Sequence, residues 1–155
     1  MKKMLIAIMA AAVLLTAAHA MAATDTNPLN VQAVVNAQCN IQSVTDLDFA
    51  DYDVTSAAPD DDGVGDVTFA CTRATNYDVY ITGVRTITDG TDTLNYELYA
   101  DAGRATVFPS GMPGVASPAA PDNNPIVQSI WGRIPALQDV QAGTYAGAVT
   151  VTIEY

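Results

Sequence analysis

Beyond residue 22 the sequence contains no lysine and no histidine; Lys2, Lys3 and His19 all fall in the opening stretch. Without histidine, Ser–His–Asp and Cys–His catalytic arrangements are excluded. Without lysine, Schiff-base and Ser–Lys mechanisms go as well. Basic charge is scarce altogether. Arg73, Arg85, Arg104 and Arg133 stand against 17 acids, a net charge of −13 for this region. Binding phosphate needs cationic groups, so no nucleic-acid partner is expected. The acid excess suits an exported protein that must stay soluble, and it can attract cations. Carboxylate pairs of the glycosidase kind remain conceivable. The aspartates, however, gather in turn clusters where they are favoured for local hydrogen bonding, and no enzyme is expected.

Long apolar runs are also lacking, with one exception. "MKKMLIAIMAAAVLLTAAHAMA" opens with two lysines, continues through an apolar Leu5–Leu15 and offers small residues at "AHA" and "AMA". This is the pattern of a secretory signal peptide over residues 1–22, cleaved after Ala20 or Ala22. The run is too short to cross a bilayer comfortably, and no later stretch reads as a membrane span. Cysteine is limited to Cys39 and Cys71. An even pair in an exported chain predicts a disulfide. Closing a loop of about 30 residues contributes roughly 3–4 kcal/mol in the chain-entropy model. With no histidine or further cysteine nearby, a zinc shell cannot be completed.

No segment after the leader carries a helical stripe. Alternating stretches dominate instead: Leu29–Val35, Leu47–Asp53, Asp66–Thr72, Tyr77–Val84, "LNYELYA", Ile126–Ile134 and Tyr145–Tyr155. They are rich in Val, Thr, Tyr and Ile, which suit a pleated, half-buried surface. Turn clusters such as "APDDDGVGD" and "TDGTD" separate them, and Pro109–Pro125 reads as a surface loop. The pattern predicts an all-β sandwich of one domain.

Two features bear on ligands. In "PDDDGVGD", Asp60, Asp61, Asp62 and Asp66 offer oxygens to calcium, but the spacing is not that of an EF-hand; an acidic hairpin tip is the plainer reading. Trp131 and the tyrosines suggest a carbohydrate platform, against core burial or a strand-face contact. No cofactor or metal is expected.

The two ends are complementary. Leu29, Val31, Ala33 and Val35 form one apolar face opposite Asn30, Gln32, Val34 and Asn36. Tyr145, Gly147, Val149, Val151, Ile153 and Tyr155 form the apolar face of the last run. A long apolar-faced strand there is an open edge, and an aggregation liability, unless something pairs with it.

The stretches "VQAVVNAQCNI", "LDFADYD", "VTFACT", "LNYELYADA" and "IWGRIPALQDVQAGTYAGAVTVTIEY", in that order, resemble the spore coat protein U domain family, of the type found in subunits of archaic (Csu-like) chaperone–usher pili. Three positions depart from the family pattern: Ala50, often Gly there; Gly147, often acidic; and the loose "TVFPSG". The resemblance implies an incomplete immunoglobulin-like β-sandwich lacking its last strand. A periplasmic chaperone would complete it first, and the N-terminal extension of a neighbouring pilin subunit later. Residues 23–36 would be the extension and residues 37–155 the domain. Leu29, Val31, Ala33 and Val35 would be the donor face; Val149, Val151, Ile153 and Tyr155 would flank the acceptor groove and meet the chaperone. The resemblance further implies an outer-membrane usher, passage through the periplasm and an extracellular pilus serving attachment or biofilm formation. Room for one domain points to a shaft or adaptor subunit. The alternative is a secreted, self-complemented coat or binding module for calcium or polysaccharide.

Overall fold

The computed structural model describes residues 23–115 and 119–155, so the leader and its cleavage sites lie outside the described residues. The chain divides into two units, Met1–Ala33 and Val34–Tyr155. In the first unit, residues 23–33 carry no strand, and Leu29 and Val31 are 88% and 87% exposed. The alternation across Leu29–Val35 therefore does not form a strand within this chain. The second unit contains β1 (Cys39–Asp48), β2 (Val64–Cys71), β3 (Asp78–Thr82), β4 (Thr86–Thr88), β5 (Thr93–Asn95), β6 (Glu97–Tyr99), β7 (Ile126–Arg133) and β8 (Thr150–Glu154). No described residue is helical. The architecture is all-β, as the residue pattern predicts.

The strands form two layers. One is a four-stranded antiparallel sheet in the order β1-β2-β7-β6. The other is built from the antiparallel pairs β3-β8 and β4-β5, linked by a bridge between Thr88 and Ala146. β2 shows why the alternation was readable. Gly65, Val67, Phe69 and Cys71 are buried, while the residues between them are only partly so. These side chains meet Val79 and Ile81 of β3, Leu94 of β5, Leu98 of β6 and Ile130 of β7 in one core. The Phe69 and Tyr77 rings meet edge to face at 5.1 Å. Cys39 and Cys71 pair directly across β1 and β2 and form the disulfide.

Three expected strands are shorter than the alternation suggests. The run Leu47–Asp53 is cut at Asp48, because Phe49 turns into the core. A Cβ on Gly63 or Gly132 would come within 2.6 and 2.5 Å of the Phe49 ring, so the ring rests on two bare backbones. Ala50 follows with φ 55°, its N–H donating to Asp48 Oδ1 at 2.9 Å. The final run is a strand only over Thr150–Glu154. The expected loop Pro109–Pro125 begins against β3: Ile81 N–H donates to the Pro109 carbonyl at 2.9 Å, and Val115 bridges to Val79. "LNYELYA" is split between β5 and β6.

Candidate functional site

Among the described residues, β1 pairs only with β2, and β8 only with β3. The free edges of both strands border the same groove. It has a volume of about 870 Å³ and is walled by Val44–Tyr52 on one side and Gln141–Val149, with Val151, on the other. Ile81, Leu94, Leu98, Ile130 and Ile134 form its floor. These floor residues, with Val67 and Phe69 beneath, are the centre of the core. The interior of the domain is thus open along one side. Tyr52 closes one corner: its hydroxyl donates to the Pro135 carbonyl at 2.8 Å and accepts from Gln138 N–H at 3.0 Å. Tyr96 lines the groove with its ring 6.0 Å from Phe49. Burial pushes the Tyr96 phenol up, with nearby Arg85 pulling the other way, so it stays neutral.

β1 forms a wall that period-two reading of the sequence missed. Its register against β2 breaks twice, between Ile41 and Ser43 and between Thr45 and Asp48. Each break is a bulge that inserts a residue and resets the alternation. The inward positions are therefore Ile41, Val44 and Leu47, three apart, which neither a strand nor a helix pattern picks out. Ile41 pairs with the fully buried Phe69 and is itself 39% exposed. It faces inward with no cover.

Of the residues expected to flank an acceptor site, Val149 and Val151 line the groove. Ile153 packs on the core farther along β8, and Tyr155 is exposed; neither lines the groove. Leu29, Val31, Ala33 and Val35 are all exposed. In the second unit, the residues leading into β1 are tied to the end of β2. Thr72 N–H donates to the Gln38 carbonyl at 2.8 Å, and the Thr72 hydroxyl to the Asn36 carbonyl at 3.2 Å.

In the acidic stretch, Asp61 is paired with arginine. Arg133 grips Asp61 with two hydrogen bonds of 2.6 and 2.8 Å, and Arg104 Nε lies 3.1 Å from the same carboxylate. The bond from Arg133, supported by the charge of Arg104, holds the Asp61 carboxyl below the usual range. Asp60 bridges to Ile134 and accepts from Asp62 N–H at 2.9 Å. Among the described residues no group of three or more Asp, Glu, His or Cys is placed to hold a metal ion. The Asp61 carboxylate fastens this loop to β7. Trp131 lies between the buried Ile130 and Gly132 and so faces outward, half-buried, paired with Val64 and Tyr99 across the sheet. That is a strand-face contact, not core burial.

No helix of the described residues is long and apolar enough to cross a membrane. No curated protein matches the sequence. Among solved structures, the chain is similar to the crystal structure of the CsuC-CsuE chaperone-tip adhesion subunit pre-assembly complex from archaic chaperone-usher Csu pili of Acinetobacter baumannii. Identity there is 18% and the TM-score 0.45, covering 78% of this chain and 40% of that one. The family model of the Spore Coat Protein U domain matches residues 25–152, nearly the whole described chain, and the protein belongs to that family.

Proposed function

We propose that the protein is a structural subunit, of shaft or adaptor type, of an extracellular chaperone–usher pilus, and that the groove receives a β-strand from another molecule. The observation that carries this reading is the groove itself: two unpaired strand edges bordering a cleft whose floor is the apolar core. Left open, such edges are sites of uncontrolled pairing. A periplasmic chaperone would cover them first, the usher would organise the exchange, and residues 23–36 of the next subunit would complete residues 37–155. Attachment or biofilm formation would be the service of the fibre.

The donor side supports the same reading. Leu29–Val35 alternates without forming a strand, with its apolar face exposed. Its seven residues match in length the segment Tyr145–Val151, of which all but Thr150 border the groove. Burying Leu29, Val31, Ala33 and Val35 contributes very roughly 5–10 kcal/mol before ordering costs. A strand held within a core leaves only by partial unfolding, so the joint would be long-lived without covalent links.

Self-completion fits less well. A fold-back turning at Asn36–Ala37 pairs Leu29 with Val44 and leaves Val31, Ala33 and Val35 beside Gln42, Asn40 and Gln38. The groove begins only at Val44. The Thr72 bonds also hold Asn36 and Gln38 along the line of β1 rather than in a reversal. Deleting residues 23–36 tests the proposal in cells that also make the cognate chaperone. The truncated subunit should still be captured by the chaperone but form no fibre; unaided fibres from it would refute strand donation.

A further inference from the structure

The two edges of the groove are not equivalent. Thr88 and Ala146 exchange both backbone bonds, at 3.0 and 3.1 Å. In an antiparallel ladder, a residue that exchanges both bonds directs its N–H and C=O to one neighbour, and the residues beside it direct theirs to the other. Ala146 faces β4. On β3, the Ile81 N–H and the Val79 carbonyl are bonded to Pro109 and Val115 on the far side, so Asp78, Tyr80 and Thr82 face β8, and their partners Glu154, Thr152 and Thr150 face β3. Tyr145, Gly147, Val149, Val151 and Ile153 therefore turn their amides and carbonyls toward the open side. They recur every second position, and Val149 and Val151 line the groove.

β1 offers nothing comparable. Its two bulges fall where it borders the groove or just before it, and its inward residues Ile41, Val44 and Leu47 recur every third position. Bulges interrupt pairing and blunt an edge. A regular strand whose apolar residues recur every second position cannot stay in register with that edge.

Building on the strand-donation reading above, we infer that the incoming strand forms its backbone ladder along Tyr145–Val151 alone, and that β1 covers it with side chains only. The joint is a one-sided ladder: a strand added to the β8 side and roofed by Val44 and Leu47.

The test uses the full chain and a synthetic peptide of residues 27–37, added while the chain polymerises. The unmodified peptide should cap growing fibres. The same peptide is then N-methylated at Leu29, Val31, Ala33 and Val35, or alternatively at Asn30, Gln32 and Val34. One set of amides faces β8 and the other faces β1. A one-sided ladder requires that one methylated set lose capping by 100-fold or more while the other caps as the unmodified peptide does. Loss in both sets would overturn the inference in favour of a two-sided ladder and leave strand donation standing. If the unmodified peptide neither caps nor binds, strand donation itself fails, and the inference with it. Site-resolved hydrogen exchange on the finished fibre gives an independent reading. Amides of Gly147, Val149 and Val151 should be strongly protected, and those of β1 not paired with β2 should exchange freely. Equal protection on both edges would again overturn the inference.

Discussion

Val44 lies directly opposite Val67 across β1 and β2, yet Val67 is completely buried and Val44 is 51% exposed. Two residues in the same register, on the same inner face, normally share one environment. Here one is roofed by the second layer and the other is not. Val44→Asp should therefore leave the stability of the unassembled domain within about 0.5 kcal/mol, the usual range for an exposed site. It should sharply reduce polymer, because completion would bury an unpaired carboxylate. Urea melts and a non-boiled gel ladder measure the two effects separately.

β1 is weakly packed, with all but two of its residues exposed. Its attachment depends on the β2 ladder and the Cys39–Cys71 bond, which spans 32 residues. Replacing both cysteines with serine should lower stability by about 3–4 kcal/mol. β1 amides should lose exchange protection before those of β7. Denaturant titration gives the first, and hydrogen exchange the second.

The Asp61 carboxyl titrates below its ordinary value of 3.8 because Arg133 bonds its charged form, with Arg104 adding to the effect. Its contribution is thus fully present above about pH 4 and is lost as the pH falls through the lowered native value. Asp61→Asn should destabilise the domain at pH 7 and flatten the acid side of its stability curve. The two proteins should converge once the pH has fallen below the lowered native value. Stability measured by urea between pH 2 and 7 checks the sign.

Ala50 occupies the left-handed region at φ 55°, where a side chain is strained and glycine is not. Ala50→Gly should raise stability by up to about 1 kcal/mol after the added freedom of the unfolded chain is counted. The melting temperature should rise correspondingly. This is one of the positions at which the sequence departs from its family's pattern.

Legibility followed the regularity of the backbone. β2, β3 and β7 carry no bulge of their own, so burial follows a period of two and the residues announce it. β1 was invisible as a strand because its bulges space Ile41, Val44 and Leu47 by three. Leu47–Asp53 alternates only loosely, and Phe49 leaves the sheet to rest on Gly63 and Gly132, contacts that residue order does not reveal. The aspartates of Pro59–Asp66 suggested a cation because their partners, Arg104 and Arg133, are far away in sequence. Val149 and Val151 border the groove, while Ile153 and Tyr155, on the same alternating face, lie beyond its end. Alternation states which face is apolar, not how far an opening runs along it.

The disulfide occupies the first position of β1, one residue beyond Gln38, which is bonded to Thr72. In the proposed fibre, each subunit is pulled through its N-terminal segment. Tension would enter at Gln38 and cross at once, by a covalent link, into β2 in the interior of the larger sheet. β1 would be spared the load, and the groove wall it forms would keep its shape while the filament is stretched.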